Sequence, residues 1–277
     1  MTSVVGSAVE AVEPAEVTQA GPARDRRGRA VTLLWQVLLF LAFLGLWQVA
    51  HWLKLVRPIV LRSPGEVWQA AVDLVSAGQL WPNLWATLQA TLIALTLGAV
   101  TGVLIGLGLA LSPRVERIVD PYLSALNSAP RIAFAPVFIV AFGITTTAKV
   151  ALAFSVVVFV VILNSRAGVH AADPDVIRLM EVMGARKSQI FRKLLFPVAV
   201  PSIFAGLRLG LIYSLLGVVT SEMIAAKDGL GQLVATFSGN FELDRVYAVI
   251  AVLIIAATLL NSIAGLIERR LLWWKPR

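Results

Sequence analysis

Long apolar runs, separated by short polar segments, dominate the chain from residue 31 onward. Each run reaches about 20 residues, the length that an α-helix needs to cross about 30 Å of hydrocarbon. The pattern predicts an all-α polytopic membrane protein with about six transmembrane helices. The predicted spans are 31–53, 84–111, 121–142, 147–166, 198–226 and 246–267.

The third predicted span is the least regular of these runs. Pro121, Pro130 and Pro136 interrupt it, and Arg131 lies inside it. A helix broken at such prolines needs neighbouring protein groups or water to satisfy its freed backbone groups. The break is therefore expected to lie against protein or beside water.

Charged residues make up 14% of the chain, against about 25% in a soluble domain. The net charge of +8 could indicate nucleic acid, but the basic residues lie between apolar runs, so no nucleic acid partner is expected. With both termini on one side, that side holds sixteen of the 24 Lys and Arg residues and the other side six. The positive-inside rule places both termini in the cytoplasm. The default setting is a bacterial plasma membrane.

The apolar pattern also divides the chain. Residues 1–30 are small and acidic, then basic, and are predicted to be a disordered cytoplasmic tail. Residues 31–53 lack a small-residue cleavage site and are predicted to be a retained N-terminal transmembrane helix rather than a signal peptide. Residues 84–267 form the predicted core with a cytoplasmic loop at 173–197, and residues 268–277 a second basic cytoplasmic tail.

Two spans carry small residues at helical spacing, which allow close approach of helix backbones. They are Gly98, Gly102 and Gly106 in the second span, and Ser202, Gly206, Gly210 and Ser214 in the fifth. Packing within one bundle is the favoured interpretation for the second span. The fifth span also carries Arg208, so its interpretation stays open. An intramembrane arginine indicates function by default, while pairing with backbone carbonyls or snorkelling to the cytoplasmic edge are the structural alternatives.

Several kinds of site are not expected. The chain has no cysteine, so disulfides and thiolate metal sites are excluded, and His51 and His170 lie too far apart to indicate a metal. No phosphate-binding Gly-Lys loop and no nucleophile–base pair is found, which argues against an ATPase or an intramembrane enzyme. A secondary carrier usually needs buried acids, yet Glu222 lies near the outer end of its span and Asp120 at the inner edge of another.

The cytoplasmic loop has a distinct pattern. Asp173 and Pro174 predict the start of a short, largely apolar helix, with Asp175 in its first turn. Gly184 permits a turn, and a second short basic helix is expected to end at Pro197. Such a loop could be an amphipathic hairpin on anionic lipid, a loop made basic by topology, or a knob that docks on another protein.

The spacing of thirteen residues from Gly184 to Pro197, with the ending Leu194-Leu195-Phe196-Pro197, resembles the EAA loop of permease subunits of binding-protein-dependent ABC importers. The stretches LRSPGEVWQA, PRIAFAPVFIVAFGI, AGLRLGL and KDGLGQLV also resemble the nitrate, sulfonate and taurine branch of that family. The resemblance covers about residues 60–275. It implies a type I importer fold, a homodimer of permeases, two ABC ATPase subunits and an extracytoplasmic solute-binding protein.

In the family, this loop is the coupling helix that docks on the ATPase, which binds the ATP, so the permease needs no cofactor of its own. The resemblance assigns that role to Asp175, Arg178, Leu179, Met180, Glu181, Gly184, Ala185 and Pro197. Arg178, Leu179 and Met180 stand where the family has Glu-Ala-Ala, and Asp175 and Glu181 are candidates to replace the missing glutamate.

The expected function is ATP-driven import of a small anion such as nitrate, a sulfonate or taurine. The candidate pathway residues are Arg131 and Arg208. The same branch includes importers of heterocyclic vitamin precursors, which is the alternative substrate class. A stand-alone secondary carrier is the less favoured alternative.

Overall fold

A computed structural model describes residues 26–55, 57 and 60–271. The described residues fold into α-helices joined by short turns. The helices are α1 (Arg26–Trp52), α2 (Pro64–Ser76), α3 (Leu80–Ala110), α4 (Pro113–Ser128), α5 (Ala135–Phe142), α6 (Thr146–His170), α7 (Pro174–Val182), α8 (Lys187–Ile190), α9 (Phe196–Ile224), α10 (Leu230–Gly239) and α11 (Leu243–Leu271).

Five helical segments in the described part of the chain are long and apolar enough to cross a membrane. They are Val31–Trp52, Leu80–Ala110, Thr146–His170, Lys187–Ile224 and Leu243–Leu271, and they match five of the six predicted spans. α1 up to Ala50 lies in a unit of its own, and its apolar run is long enough to cross a membrane by itself. The predicted tails at 1–30 and 268–277 lie largely outside the described residues, but α1 begins at Arg26 and α11 continues to Leu271.

The third predicted span, 121–142, is not a continuous helix. α4 and the following helical segment meet at an angle of 79°. Ala129 is extended, with ψ 135°, because the ring of Pro130 disfavours helical geometry at the residue before it. A 3₁₀ turn, Arg131–Phe134, then leads into α5. The prolines that made this span irregular thus divide it, and α4 begins at Pro113, eight residues earlier than predicted.

α3, α6 and α9 form the centre of the helix bundle. α3 and α6 run parallel, since Gly98, Gly102 and Gly106 lie in turn against Val157, Val161 and Ser165. A Cβ added at Gly102 would lie 2.7 Å from Cβ of Val161 and 2.9 Å from the carbonyl oxygen of Val158. The packing interpretation of the second span is confirmed, because these positions have no room for a side chain.

The small residues of α9 also serve packing. Gly206 lies against the side chain of Asn164, and Ser202 and Ala199 lie against Gly168, so α9 runs antiparallel to α6. Ser214 Oγ donates to the carbonyl oxygen of Thr91 at 2.8 Å, which joins α9 to α3. These contacts define a small-residue seam along α3, α6 and α9.

A second apolar cluster lies where α2, α10 and the start of α11 meet. Its members include Ala70, Leu74, Leu80, Leu230, Phe237, Val246 and Val249.

Ser63 and Glu66 form a capping box that starts α2. The backbone N–H of Ser63 donates to Glu66 Oε2 at 2.7 Å and lowers the pKa of that carboxyl below its usual value. Neither α2 nor α10 was predicted from the apolar pattern, because both are too short to span a membrane.

Candidate functional site

A cavity of about 480 Å³ opens beside the break between α4 and α5. Its walls come from the broken segment, from α6 and from α9. The lining residues are Asn127, Ala129, Arg131, Ile132, Val156, Val160, Leu163, Asn164, Leu209, Tyr213, Leu216 and Gly217. The break in the third span therefore creates a hollow at a level where the other helices are continuous.

Arg131 braces this break. One guanidinium nitrogen donates to the carbonyl oxygens of Ser155 at 2.6 Å and Val156 at 3.2 Å, both on α6. The other donates to the carbonyl oxygen of Leu126 at 3.1 Å and to Asn127 Oδ1 at 3.3 Å. The guanidinium carbon also lies 4.0 Å from the ring centroid of Phe159. Arg131 thus joins the end of α4 to α6 and satisfies carbonyls near the break.

Every hydrogen-bond acceptor of Arg131 is a neutral oxygen, and no carboxylate in the described part of the chain lies within 4.0 Å of it. Its positive charge therefore stays uncompensated at the wall of the cavity. The amide of Asn164 and the phenol of Tyr213 are the other polar groups nearby. The cavity can offer one positive charge and several neutral polar groups to a small solute.

Arg208, the second candidate for the pathway, lies elsewhere. Its Nε donates to Asn261 Oδ1 at 2.8 Å, and its guanidinium lies 3.9 Å from a carboxylate oxygen of Glu268. Both partners belong to α11, and Arg208 does not line the cavity. The structure thus places the two candidate arginines in different environments.

The loop between α6 and α9 begins as its pattern predicts. Asp173 caps α7 by accepting a hydrogen bond from the backbone N–H of Asp175 at 2.8 Å. Gly184 has a φ of +78°, which favours glycine. Its N–H donates to the carbonyl oxygen of Glu181, and the N–H of Ala185 to that of Met180, both at 2.9 Å. This is a Schellman motif, and it stops α7 within nine residues.

The second half of the loop differs from the prediction. The basic segment is not a separate helix ended by Pro197, because α8 continues through a π-helical segment, Phe191–Leu195, directly into α9. The N–H of Phe196 donates to the carbonyl oxygen of Phe191, five residues back. The wider π turn lets the helix pass Pro197, which has no N–H to donate. The loop is therefore one short helix and a turn, joined to a long extension of α9.

α7 exposes an apolar surface. Val182 is 87% exposed, Met183 77% and Leu179 59%. The charged side chains beside them are also exposed, with Asp175 and Arg178 forming a pair at 3.6 Å. In the described part of the chain nothing covers these three apolar side chains, so the fold of this chain does not explain them.

Comparison with known proteins decides the family. The model of the family described as binding-protein-dependent transport system inner membrane component matches residues 98–273. The chain belongs to that family. It is an ABC importer permease of the branch that includes sulfonate and taurine permeases, and a multi-pass membrane protein.

Two relatives show the range within this branch. The taurine transport system permease protein TauC of Escherichia coli is 32% identical over 236 residues, which covers 83% of this chain and 86% of TauC. The riboflavin transport system permease protein RibX of Chloroflexus aurantiacus is also 32% identical, covering 90% of both chains. Equal similarity to permeases named for different solutes does not distinguish between those solutes for this permease.

A solved structure gives the same fold. The permease resembles a chain from inward-facing conformations of the MetNI methionine ABC transporter, with a TM-score of 0.63 and 21% identity. The match covers 70% of this permease and 97% of that chain. The fold is that of type I ABC importer permeases.

An ion-pair cluster connects the loop end of α6 to α4. Arg166 donates to Glu116 Oε1 at 2.8 Å and to Asp120 Oδ1 at 2.7 Å. Nε2 of His170 lies 2.9 Å from the same oxygen of Glu116. Since α7 begins four residues after His170, the cluster joins the loop to the helix that carries Asn127. We call this side of the permease the His170 end.

A buried polar network, which the sequence pattern did not predict, lies at the opposite end of α6 and α9. Lys149 was one of the six basic residues assigned to the side opposite the termini, and Glu222 was placed near the outer end of its span, but the structure buries both, at 3% and 0% side-chain exposure. The expectation that the spans lack a buried acid was therefore wrong. The tight KDGLG segment that encloses Glu222 was quoted only as a family stretch. We call this side of the permease the Glu222 end.

Proposed function

We propose that this permease forms the transmembrane path of an ATP-driven importer for a small anion. Organosulfonates such as taurine are the leading substrate class, and nitrate is a smaller anion that the same path could carry. The observation that carries the proposal is the uncompensated charge of Arg131 at the wall of a cavity of about 480 Å³. A guanidinium that meets only neutral acceptors attracts an anion more strongly than one already paired with a carboxylate.

The position of the cavity supports a pathway role. Its lining comes from the end of α4, the break, α6 and α9, and the break divides a predicted span at an angle of 79°. Irregular backbone at membrane depth is tolerated where it lines a cavity or is covered by protein. Arg208 is less suited to the pathway, since it faces Asn261 and Glu268 instead of the cavity.

A heterocyclic vitamin precursor is the second candidate substrate. The similarity to RibX favours it, and so does the largely apolar lining by Ile132, Val156, Val160, Leu163, Leu209 and Leu216. Flat aromatic solutes gain binding energy from such apolar walls. In an importer of heterocyclic vitamin precursors, Arg131 would serve mainly to hold the break against α6.

The exposed apolar surface of α7 supports the coupling role proposed for the loop. Leu179, Val182 and Met183 have the chemistry of a surface that docks into a cleft of a partner protein. The partners that we propose are two ABC ATPase subunits at the His170 end, a second copy of this permease, and a solute-binding protein at the Glu222 end. This arrangement places both termini in the cytoplasm, and the ATPase carries out the hydrolysis.

The test is co-purification of the tagged permease from its native membrane, followed by reconstitution of the complex with its solute-binding protein. We expect one ATPase subunit per permease chain. Changing Val182 and Met183 together to Ser should remove the ATPase from the complex but leave the permease folded. Trp68→Ser is the matched control, because Trp68 is 72% exposed on α2, away from the loop. If the Val182 and Met183 variant retains its ATPase, the docking role of α7 is excluded.

The same preparation distinguishes the two substrate classes. We expect ATP-dependent uptake of radiolabelled taurine that excess nitrate or another sulfonate reduces and excess riboflavin does not. Uptake of riboflavin with no competition by anions would favour the heterocycle. Solute accumulation without ATP would instead revive the secondary carrier.

A further inference from the structure

Glu222 is held by contacts from three other parts of the permease. Its carboxylate accepts hydrogen bonds from Thr87 Oγ1 on α3 at 2.9 Å and from the backbone N–H of Gly231 on α10 at 3.0 Å. Lys149 Nζ on α6 lies 3.2 Å from the same carboxylate. Both oxygens of this buried acid therefore have donors, and the donors come from three different helices.

Lys149 links this buried acid to the surface. Its ammonium also lies 2.5 Å from Asp228 Oδ1 and donates to the carbonyl oxygen of Asp228 at 2.7 Å. The Asp228 side chain is 57% exposed, whereas that of Lys149 is 3% exposed. The three donors of the ammonium thus contact one buried residue, Glu222, and one exposed residue, Asp228. The turn after α9 covers the Lys149–Glu222 pair.

The turn itself is built around the pair. Gly229 has a φ of +115°, and a side chain there would collide with the carboxylate of Glu222. The N–H of Gly229 donates to Asn83 Oδ1 at 2.7 Å, and that of Leu230 donates to Thr87 Oγ1 at 2.9 Å. These bonds fasten the start of α10 to α3, so α3, α6, α9 and α10 are joined at one point.

The network differs in kind from the small-residue seam that joins the same helices along their length. Apart from the hydrogen bond of Ser214, the contacts of the seam are non-directional packing, which allows helices to slide past one another by small amounts. Charge-assisted hydrogen bonds require particular distances and angles. The network therefore fixes the axial position of α9 relative to α3 and α6 at the Glu222 end, while the seam leaves the remainder free to tilt.

We propose that Lys149 and Glu222 are positioning residues for transport, and that their buried pair acts as a pivot. Displacement of the loop at the His170 end then rotates α9 about the Glu222 end instead of sliding it along α6. This inference rests on the proposed function, because it assumes that an ATPase moves the loop. The pivot converts that movement into a change in the cavity, which α9 lines through Leu209, Tyr213 and Leu216.

The test compares the wild-type complex with Glu222→Gln, Lys149→Met and the double variant. A single variant leaves one buried group without its partner and can reduce folding. The double variant removes both charges, so it separates folding from the pivot. Glu242→Gln is the matched control, since Glu242 pairs with Arg245 at 2.6 Å three residues along the chain and joins no separate spans.

The absence of cysteine makes a distance measurement direct. Spin labels at Thr147→Cys and Ser238→Cys, both at exposed positions of the Glu222 end, report on α6 and α10. In the wild type and in Glu242→Gln we expect the same label-to-label distance in nucleotide-free and vanadate-trapped complexes. In the double variant we expect a broader distribution that shifts with the nucleotide state, with about tenfold more ATP hydrolysed per solute imported.

Two results would overturn the pivot. One is a double variant whose label distances and ATP cost per solute match those of the wild type. The other is a wild-type complex in which the distance at the Glu222 end changes with nucleotide as much as in the double variant. If the proposed function itself is wrong, the wild-type permease will co-purify with no ATPase. That result would exclude the pivot as well, and it differs from both results above.

Discussion

The small-residue seam and the α6–α9 loop use glycine for opposite reasons. At Gly102 the backbone is helical, and it is the neighbouring helix that leaves no room for a side chain. At Gly184 there is open space, and it is the backbone, with φ +78°, that excludes most other residues. The seam is explained by contacts within this chain. The loop is not, because Leu179, Val182 and Met183 at the end of α7 stay exposed. The seam therefore serves the fold, and the exposed loop fits the partner-docking role proposed for it.

The largest effect is expected in the seam. Gly102→Ala places a Cβ against the backbone of α6, which cannot move aside as a flexible side chain could, and should destabilise the permease by about 1–3 kcal/mol. Gly108→Ala is the control in the same helix, since nothing lies within 4 Å of a Cβ there. Thermal unfolding in detergent, followed by size-exclusion chromatography, measures both. Equal stability of the two variants would contradict the packing role of Gly102.

A smaller loss of stability but a specific loss of coupling is expected in the loop. Gly184→Val puts a β-branched residue at φ +78°, which costs about 1–2 kcal/mol locally and should disrupt the turn after α7. Gly184→Asn is the matched variant, because asparagine tolerates this conformation. We expect the Val variant to insert normally yet to lose ATP-driven uptake, and the Asn variant to retain most of it. Unchanged uptake in the Val variant would remove the loop from the coupling mechanism.

The smallest effect is expected at Arg208, which belongs to neither region. Its partners Asn261 and Glu268 lie on α11, and its side chain is 48% exposed. Arg208→Ala should lower the free energy of unfolding by at most about 1 kcal/mol, since half-exposed ion pairs contribute little. Uptake should stay near that of the wild type. A strong loss of uptake without a loss of stability would return Arg208 to the solute pathway.

The apolar pattern predicted the elements whose physics is local. A run of 20 apolar residues needs no knowledge of its neighbours to indicate a span, and Asp173 and Gly184 mark the limits of α7 through their own side-chain and backbone chemistry. Pro130 indicated the break after Ser128, but its angle could not be predicted from the residues alone. The spacing of Ser63 and Glu66 is a local signal for the start of α2, and it is independent of the apolar runs that indicate spans.

The predictions that were wrong concern features that depend on distant contacts or on helix geometry. Lys149 pairs with an acid 73 residues away, so no local pattern could show that its charge is buried and compensated. Pro197 indicates the end of a helix by the usual steric rule, and only the π segment before it lets the helix continue. The cavity could not be predicted, because its walls come from the break, α6 and α9 together. The sequence showed Arg131 only as a charged residue inside an apolar span.

The continuous helix from Lys187 to Ile224 has 38 residues, which corresponds to a rod of about 57 Å. The hydrocarbon core is only about 30 Å thick, so a large part of the rod projects beyond it. With one end held at Glu222, such a rod is a lever arm. Leu216 lies six residues from the fixed end and Lys187 thirty-five, so a stroke of about 10 Å at the loop becomes one of about 2 Å at the cavity wall. If the proposed pivot holds the Glu222 end, the projecting length acts as a reducing lever, which converts a wide movement at the loop into a shorter movement of α9 at the cavity wall.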